Sequence, residues 1–200
     1  MYQEINLDYK LNELSPYLME DSLKEHYQIY QENVKKLNEL LKSINYDYSY
    51  SLRDLVDHID IFPLTIRGEI LYYLSSVLNH NLYFYNMSNK KNNIPSQTIG
   101  KDITKYFGSF EEFKRQFINH AMNLKGSGYT FLVKDEKGDL KIINTSNEDS
   151  PYYYKMIPII SLDVWEHAYF LQYKNNRLAY IENFFEVIDF DKINTYYEKV

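Results

Sequence analysis

Residues 157–169 of this 200-residue chain read Ile157-Pro158-Ile159-Ile160-Ser161-Leu162-Asp163-Val164-Trp165-Glu166-His167-Ala168-Tyr169. The run up to Leu162 is apolar and rich in β-branched side chains, which is typical of a buried strand. The strand ends at Asp163, and a helix-compatible segment then places His167 one turn further on. Two side chains that are hard to bury therefore stand where an apolar strand becomes a helix. They need partners, and a metal ion suits both.

An aspartate and a histidine at this spacing do not by themselves indicate a metal site. Such a pair is more often a helix-capping aspartate beside an unrelated buried histidine. The chain has five histidines, of which His26, His80 and His167 fall on apolar faces. Together with Asp163 they make a set of three imidazoles and one carboxylate. That set suits a first-row transition metal and leaves a position for water or substrate.

The composition excludes several classes of function. The formal net charge is −6 and no block rich in lysine or arginine occurs, which argues against a protein that binds nucleic acid. The chain contains no cysteine, so disulfides, thiolate ligands and thiol redox chemistry are all excluded. Any redox chemistry must therefore depend on a metal held by nitrogen and oxygen ligands.

No targeting or membrane segment is predicted. The first residues, Met1-Tyr2-Gln3-Glu4-Ile5, lack the basic region and the apolar core of a signal peptide. No apolar run approaches the length of a membrane span. We therefore expect a soluble cytoplasmic protein with no membrane partner.

The first part of the chain is predicted to be helical. Apolar residues recur at helical spacing from Met19 to Leu41 and again from about Leu64 to Tyr85. The connection between these two segments holds at most one helical turn, near Leu52–Asp57. Two long helices joined in this way are expected to form an antiparallel hairpin. The stretch from Asn86 to Gln97 is rich in Asn, Ser and Lys and is the clearest linker in the chain.

The second part is predicted to combine helices and strands. The expected elements are helices over 99–107, from a capping box at Ser109–Glu112 to about Leu124, over 164–173 and over 178–188, and strands over 129–134, 140–145 and 157–162. The fold class is therefore α+β. A helical-hairpin domain, 1–89, precedes an α/β domain, 90–200, that contains a small three-stranded antiparallel sheet.

The string 163–169, Asp-Val-Trp-Glu-His-Ala-Tyr, resembles the C-terminal signature of the iron/manganese superoxide dismutases. Other stretches resemble the same family in the same order along the chain, so that the resemblance covers essentially all of it. These stretches are Asn79-His80 with Tyr83, Phe107-Gly-Ser-Phe-Glu-Glu-Phe113, Gly126-Ser-Gly-Tyr-Thr-Phe-Leu-Val133, Asn144-Thr-Ser-Asn147, Tyr173-Lys174-Asn175, Arg177, Tyr180-Ile181 and Phe184-Phe185.

The resemblance implies a function and a ligand set. It implies that superoxide is converted to dioxygen and hydrogen peroxide at one iron or manganese ion per subunit. The implied ligands are His26, His80, Asp163 and His167. The sequence does not choose between the two metals.

The resemblance also implies roles for residues around the metal. Tyr30 and Glu148 are expected to shape proton delivery. Arg177 matches the arginine of the substrate funnel, although a surface charge is the commoner fate of an arginine. Glu166 matches a residue that bonds a ligand histidine of the partner subunit, and with Tyr169 it is expected to lie at the seam of a homodimer.

The first ligand is open to two alignments, because the first helix is one turn short of the family pattern. In the family, the first helix carries a ligand histidine, a second histidine at the entrance of the site four residues later (the gateway histidine) and a tyrosine four residues after that. If 15–23 sets the register, His26 is the ligand and Tyr30 takes the place of the gateway histidine. If 30–34 sets it, His26 is the gateway histidine and Ser22 replaces the ligand. Serine is a poor ligand, which favours the first alignment. The second would leave two histidines and one carboxylate, as in many non-haem iron enzymes.

A second departure concerns the glutamine that the family holds near the metal-bound solvent. The two places that can supply it hold Ser76 and Glu148 here. An ionised Glu148 would accept hydrogen bonds where glutamine donates and could bind the metal directly, whereas a protonated Glu148 could mimic glutamine. Since these departures are substantial, the alternative is a dimeric protein that keeps the fold and has lost the activity, or one with an altered metal site.

Overall fold

The structure, a computed structural model, describes residues 1–90 and 92–200. Its N-terminal half is built on two long helices, α1 (Glu20–Ser43) and α3 (Leu64–Tyr85), connected through the short helix α2 (Leu52–Asp57). The helix α1 packs against α3, and its buried side chains recur every three or four residues; they are Ser22, Leu23, His26, Tyr30, Val34, Leu37, Asn38 and Leu41. The predicted helical hairpin is therefore confirmed.

The C-terminal half contains five helices and three strands. In chain order they are α4 (Gln97–Phe107), α5 (Phe110–Asn123), β1 (Gly128–Lys134), β2 (Leu140–Ser146), β3 (Ile157–Asp163), α6 (Glu166–Tyr173), α7 (Arg177–Val187) and α8 (Phe190–Tyr197). The fold class is α+β, as the order of periodic segments predicts.

The three strands form one antiparallel sheet in the order β2-β1-β3. β1 lies in the middle, and all of its residues except Lys134 are buried. Tyr129 of β1 pairs with Asp163, the last residue of β3. The register therefore places the aspartate beside an aromatic side chain at the end of the sheet from which α6 departs.

A common hydrophobic core joins the two halves, since α3 packs directly on β3. Asn86, the residue that follows α3, reinforces this contact with its side chain. Its Oδ1 accepts from the backbone N–H of Ser161 at 2.9 Å, and its Nδ2 donates to the carbonyl oxygen of Ile159 at 3.3 Å. The predicted linker thus begins with a residue that is bonded into the sheet.

The structure corrects three details of the sequence prediction. The helix α8 was not predicted, and α4 begins at Gln97, two residues earlier than expected. Ser109 caps α5 by accepting from the N–H of Glu112 at 3.1 Å, but the Glu112 carboxylate pairs with Arg115 instead of completing the capping box. Among the described residues, no helix is both long and apolar enough to cross a membrane.

Candidate metal centre

Three imidazoles converge on a single carboxylate oxygen between the two halves of the fold. The Nε2 atoms of His26, His167 and His80 lie 3.0, 3.1 and 3.6 Å from Oδ2 of Asp163. The four donor atoms all fall within 4.8 Å of one another. The structure thus brings together the four side chains that the sequence singles out.

Each of these side chains comes from a different element. His26 lies in α1, His80 in α3, Asp163 at the end of β3 and His167 in the first turn of α6. All are buried except the His167 side chain, which is 19% exposed. The site therefore forms only when the helical hairpin and the sheet are packed together.

Hydrogen bonds on both sides hold Asp163 in place. Its Oδ1 accepts from the backbone N–H of Trp165 at 2.8 Å, and its carbonyl oxygen accepts from the hydroxyl of Tyr180 at 2.8 Å. Since Oδ1 is occupied in this way, Oδ2 is the oxygen that faces the three imidazoles.

The protonation of His80 makes the cluster incomplete without a cation. Its Nδ1 lies 2.8 Å from the carbonyl oxygen of Ser76, which can only accept, so Nδ1 carries the ring proton. Burial, followed by the repulsion from His26, lowers the pKa of His80 to about 3, so the ring is neutral. The lone pair of Nε2 then faces a carboxylate oxygen, and no group in the described part of the chain donates a hydrogen bond to it. A cation between these atoms removes the conflict.

Two of the other three groups, Asp163 and His26, are in the protonation states that a metal requires, and His167 is not. Burial alone would raise the pKa of Asp163, but His167 and His26 outweigh it and hold that pKa well below its usual range. Burial lowers the pKa of His26. Burial opposes the charge on His167 too, but the attraction of Asp163 prevails and raises its pKa, so a metal would displace a proton there.

Glu148 is buried and lies outside the cluster of four donor side chains. Burial, followed by the charge of Asp163, raises its pKa to about 8, although hydrogen bonds from Tyr129 and Ser76 act in the opposite direction. The carboxyl group is therefore neutral at pH 7. It is not among the donors that lie within 4.8 Å of one another, which leaves it outside the ligand cluster.

Tyr30 stacks on the cluster through its ring, and its hydroxyl is bonded elsewhere. The ring centroids of Tyr30 and His80 are 5.7 Å apart, with an interplanar angle of 18°. The hydroxyl accepts from the backbone N–H of Ile5 at 2.8 Å and donates to Oδ1 of Asn81. Tyr30 therefore connects His80 to the N-terminal arm of the chain.

The two alignments of the first helix differ in whether His26 or Ser22 should lie in the cluster of donor atoms. His26 lies in the cluster, and its ring also packs against Tyr83 with centroids 4.7 Å apart. Ser22 is buried one turn earlier in α1 and is not among the clustered donors. The geometry therefore agrees with the alignment that makes His26 the first ligand.

The remaining predicted residues lie on α6 and α7. Glu166 is exposed, and among the residues that the structure describes its carboxylate makes no hydrogen bond or ion pair. Tyr169 is buried, and its hydroxyl accepts from Nε of Arg177 at 3.3 Å. Arg177 also donates to the carbonyl oxygen of Leu124 at 2.9 Å, so it fastens α7 to the segment that enters the sheet.

Two residues that support the site were missed by the sequence analysis. Asn33 donates from Nδ2 to Oγ of Ser76 at 2.8 Å, and Asn81 accepts the Tyr30 hydroxyl. Asn33 stands seven residues, or two helical turns, after His26, and that spacing was the available signal. Asn81 directly follows His80 in α3 and gave no such signal.

Comparison with known proteins agrees with this geometry. Residues 1–88 match the family "Iron/manganese superoxide dismutases, alpha-hairpin domain", and residues 95–196 match "Iron/manganese superoxide dismutases, C-terminal domain". The iron superoxide dismutase of Legionella pneumophila is 35% identical over 186 residues, which is 92% of this chain and 93% of that protein. The manganese superoxide dismutase of Listeria monocytogenes is 35% identical over 194 residues, 96% of each chain. The chain therefore belongs to the iron/manganese superoxide dismutase family.

Proposed function

We propose that this protein dismutates superoxide at one iron or manganese ion per subunit, held by His26, His80, Asp163 and His167. The observation that carries the proposal is the convergence of three imidazole Nε2 atoms on one carboxylate oxygen, with the lone pair of His80 left without a donor. Three neutral nitrogens and one carboxylate suit either metal and leave a position open for the substrate.

A metal held by these four residues would supply the one-electron reduction and oxidation that dismutation requires. The sum is two superoxide ions and two protons giving dioxygen and hydrogen peroxide. Protein groups hold the ligands in place and supply the protons. The Ser76 carbonyl fixes the tautomer of His80, and the Trp165 N–H occupies the Asp163 oxygen that faces away from the imidazoles.

Glu148 and Tyr30 are the groups proposed to shape proton delivery. Glu148 is buried beside the cluster and carries a proton at neutral pH, because its pKa is raised to about 8. A neutral carboxyl group can donate a hydrogen bond in the way that an amide does. Tyr30 would act through its hydroxyl, which already lies in the hydrogen-bonded path from Ile5 to Asn81.

A homodimer is part of the proposal. Glu166 is exposed and has no partner among residues 1–90 and 92–200. Phe170, one turn later on the same face of α6, is 46% exposed. An apolar surface beside an unpaired carboxylate fits a subunit seam at which Glu166 bonds a ligand histidine of the partner. Tyr169 would support that seam from within, and Arg177 would lie at the entrance for superoxide.

Two further expectations remain proposals. One is the division of the chain into domains at residues 89 and 90, and the other is a cytoplasmic location. The domain division rests on the linker composition described above.

A dismutase assay on protein loaded separately with iron and with manganese tests the function. We expect activity with at least one metal, and the variant His26→Ala should lose both metal content and activity. Inactivity with both metals would leave the alternative of a dimer that retains only the fold. Unchanged metal content in His26→Ala would remove His26 from the ligand set. The matched control is His58→Ala, which alters an exposed histidine and should keep its metal content.

A further inference from the structure

The segment that leads into α1 is held by side chains at the end of α6. Oε1 of Gln172 accepts from the backbone N–H of Met19 at 2.8 Å. Nε2 of the same amide donates to the carbonyl oxygens of Pro16 and Tyr17 at 3.2 and 3.3 Å. The hydroxyl of Tyr173 donates to the Tyr17 carbonyl oxygen as well. The approach to α1 is therefore fastened to the last turn of α6.

The bond to Met19 completes a cap that α1 does not make for itself. Met19 is the residue before the helix, and its side chain has no oxygen with which to cap the first turn. In a capping box, a Glu or Gln at the third helical position accepts from the N–H of the residue before the helix. The third position of α1 is Ser22. Gln172 therefore supplies, from another helix, the acceptor that a capping box would provide locally.

The same two helices carry two of the clustered imidazoles. His26 follows Met19 by seven residues, or about two helical turns, and His167 lies in the first turn of α6. The ring centroids of His26 and His167 are 4.9 Å apart, and both Nε2 atoms face Oδ2 of Asp163. The contact between α1 and α6 is thus fixed at two points, the imidazole pair and the Gln172 amide.

We propose that Gln172 is a positioning residue, which fixes the register of α1 along α6 and thereby holds His26 opposite His167. A slide of α1 by one helical turn, about 5.4 Å, would bring Ser22 or Tyr30 to the place of His26. The cluster would then lose one of its three imidazoles, and with it much of its affinity for a metal. This inference rests on the proposed function, because it concerns the ligand set assigned there.

Gln172 acts from outside the donor cluster. It is not one of the four donor side chains, and its three hydrogen bonds go to backbone groups. A substitution of Gln172 therefore leaves every ligand in the chain. A change in metal affinity must then come from the way in which the ligands are placed.

The test measures the affinity of the full-length, chelator-treated protein for manganese(II), with no superoxide present. The electron paramagnetic resonance signal of the free ion gives the dissociation constant. Gln172→Met keeps the length of the side chain and removes its three hydrogen bonds, so it should raise the dissociation constant about tenfold. The matched control is Gln116→Met, which removes a bond of 2.7 Å made by another half-buried glutamine to Glu112. Its dissociation constant should equal that of the wild type.

A double-mutant cycle separates positioning from a loss of stability. If Gln172 acts through His26, His26→Ala should raise the dissociation constant less in the Gln172→Met chain than in the wild type. In the Gln116→Met chain His26→Ala should have its full effect. A purely structural role of Gln172 would lower the melting temperature and leave both the dissociation constant and the effect of His26→Ala unchanged.

The outcomes separate this inference from the dismutase activity. A wild-type dissociation constant in Gln172→Met, or a full effect of His26→Ala in that chain, would overturn the positioning role. If Gln172→Met does not fold, Gln172→Asn keeps the amide on a side chain shorter by one methylene group and should give the same rise. Wild-type protein that binds no manganese would overturn both the ligand set and this inference. Protein that binds manganese with the expected Gln172 dependence but does not dismutate superoxide would contradict the proposed activity alone.

Discussion

Asn33 of α1 donates a hydrogen bond to Oγ of Ser76 in α3, across a distance of 2.8 Å. Oγ of Ser76 also lies 3.3 Å from Nδ1 of His80. The first helix thus holds the residue of the third helix whose carbonyl oxygen, 2.8 Å from Nδ1, fixes the tautomer of His80. Neither helix could establish this arrangement alone.

The variant Glu148→Gln should change how stability depends on pH in the metal-free protein. The folded chain keeps the Glu148 proton up to about pH 8, whereas a free glutamate loses it near its ordinary value of 4.5. Between these values the unfolded chain binds fewer protons, so the free energy of unfolding falls as pH rises. The slope reaches at most about 1.4 kcal/mol per pH unit, and Glu148→Gln should flatten it.

Urea titrations between pH 4 and pH 9 would measure this slope. Glu136→Gln, which alters an exposed glutamate in the hairpin turn, is the matched control and should keep the wild-type slope. If Glu148→Gln and Glu136→Gln showed the same slope of unfolding free energy against pH, the interpretation of Glu148 as a neutral buried acid would be wrong.

Metal should stabilise the folded chain, and this effect should depend on His80. A ligand at a hundred times its dissociation constant adds about 2.7 kcal/mol to the free energy of unfolding. Removal of metal by a chelator should therefore lower the melting temperature of the wild-type protein. His80→Ala should lower stability by itself and should abolish the difference between loaded and chelated protein.

Differential scanning calorimetry with and without chelator would check this. The exposed His120→Ala is the control and should retain the full metal-dependent shift. A shift of wild-type size in His80→Ala would show that the metal binds without this imidazole.

Tyr30→Phe should separate the contribution of the Tyr30 ring from that of its hydroxyl. The ring and its stack on His80 remain, while the hydrogen bonds with Ile5 and Asn81 are lost. We expect a loss of about 1–2 kcal/mol in the free energy of unfolding, as for one or two partly buried hydrogen bonds. If the hydroxyl takes part in proton delivery, the maximum turnover rate should also fall in a pulse-radiolysis assay.

Tyr27→Phe provides the comparison, because the Tyr27 hydroxyl makes only a long bond of 3.4 Å to the Ile5 carbonyl oxygen. Its turnover should match the wild type. A Tyr30→Phe protein that is destabilised but turns over at the wild-type rate would limit Tyr30 to a positioning role.

Phe170→Lys should weaken the proposed dimer. The substitution places a charge on an apolar side chain that is 46% exposed and one turn from Glu166. Sedimentation velocity should detect monomer at concentrations where the wild type is dimeric. Leu64→Lys, at the start of α3, alters a still more exposed apolar residue and should leave the dimer intact. Equal dissociation constants for Phe170→Lys and the wild type would place the seam elsewhere.

The long helices and the strand that ends at Asp163 could be predicted from the sequence, because their apolar residues repeat with the period of the backbone. The period of 3.6 is clear from Leu23 to Leu41, and the apolar run from Ile157 identifies the buried strand. α8 was missed because it is short and follows α7 after only two residues, so its periodicity could not be distinguished from that of its neighbour.

The sequence by itself determined which residues could bind a metal, since His26, His80, Asp163 and His167 stand on apolar faces and in family-like strings. Only the tertiary structure decided that His26 rather than Ser22 meets the other three, and that Glu148 is buried and neutral. The physical reason is that ligand geometry and pKa depend on atoms from elements far apart in the chain. Periodicity reports only which face of each element turns inward.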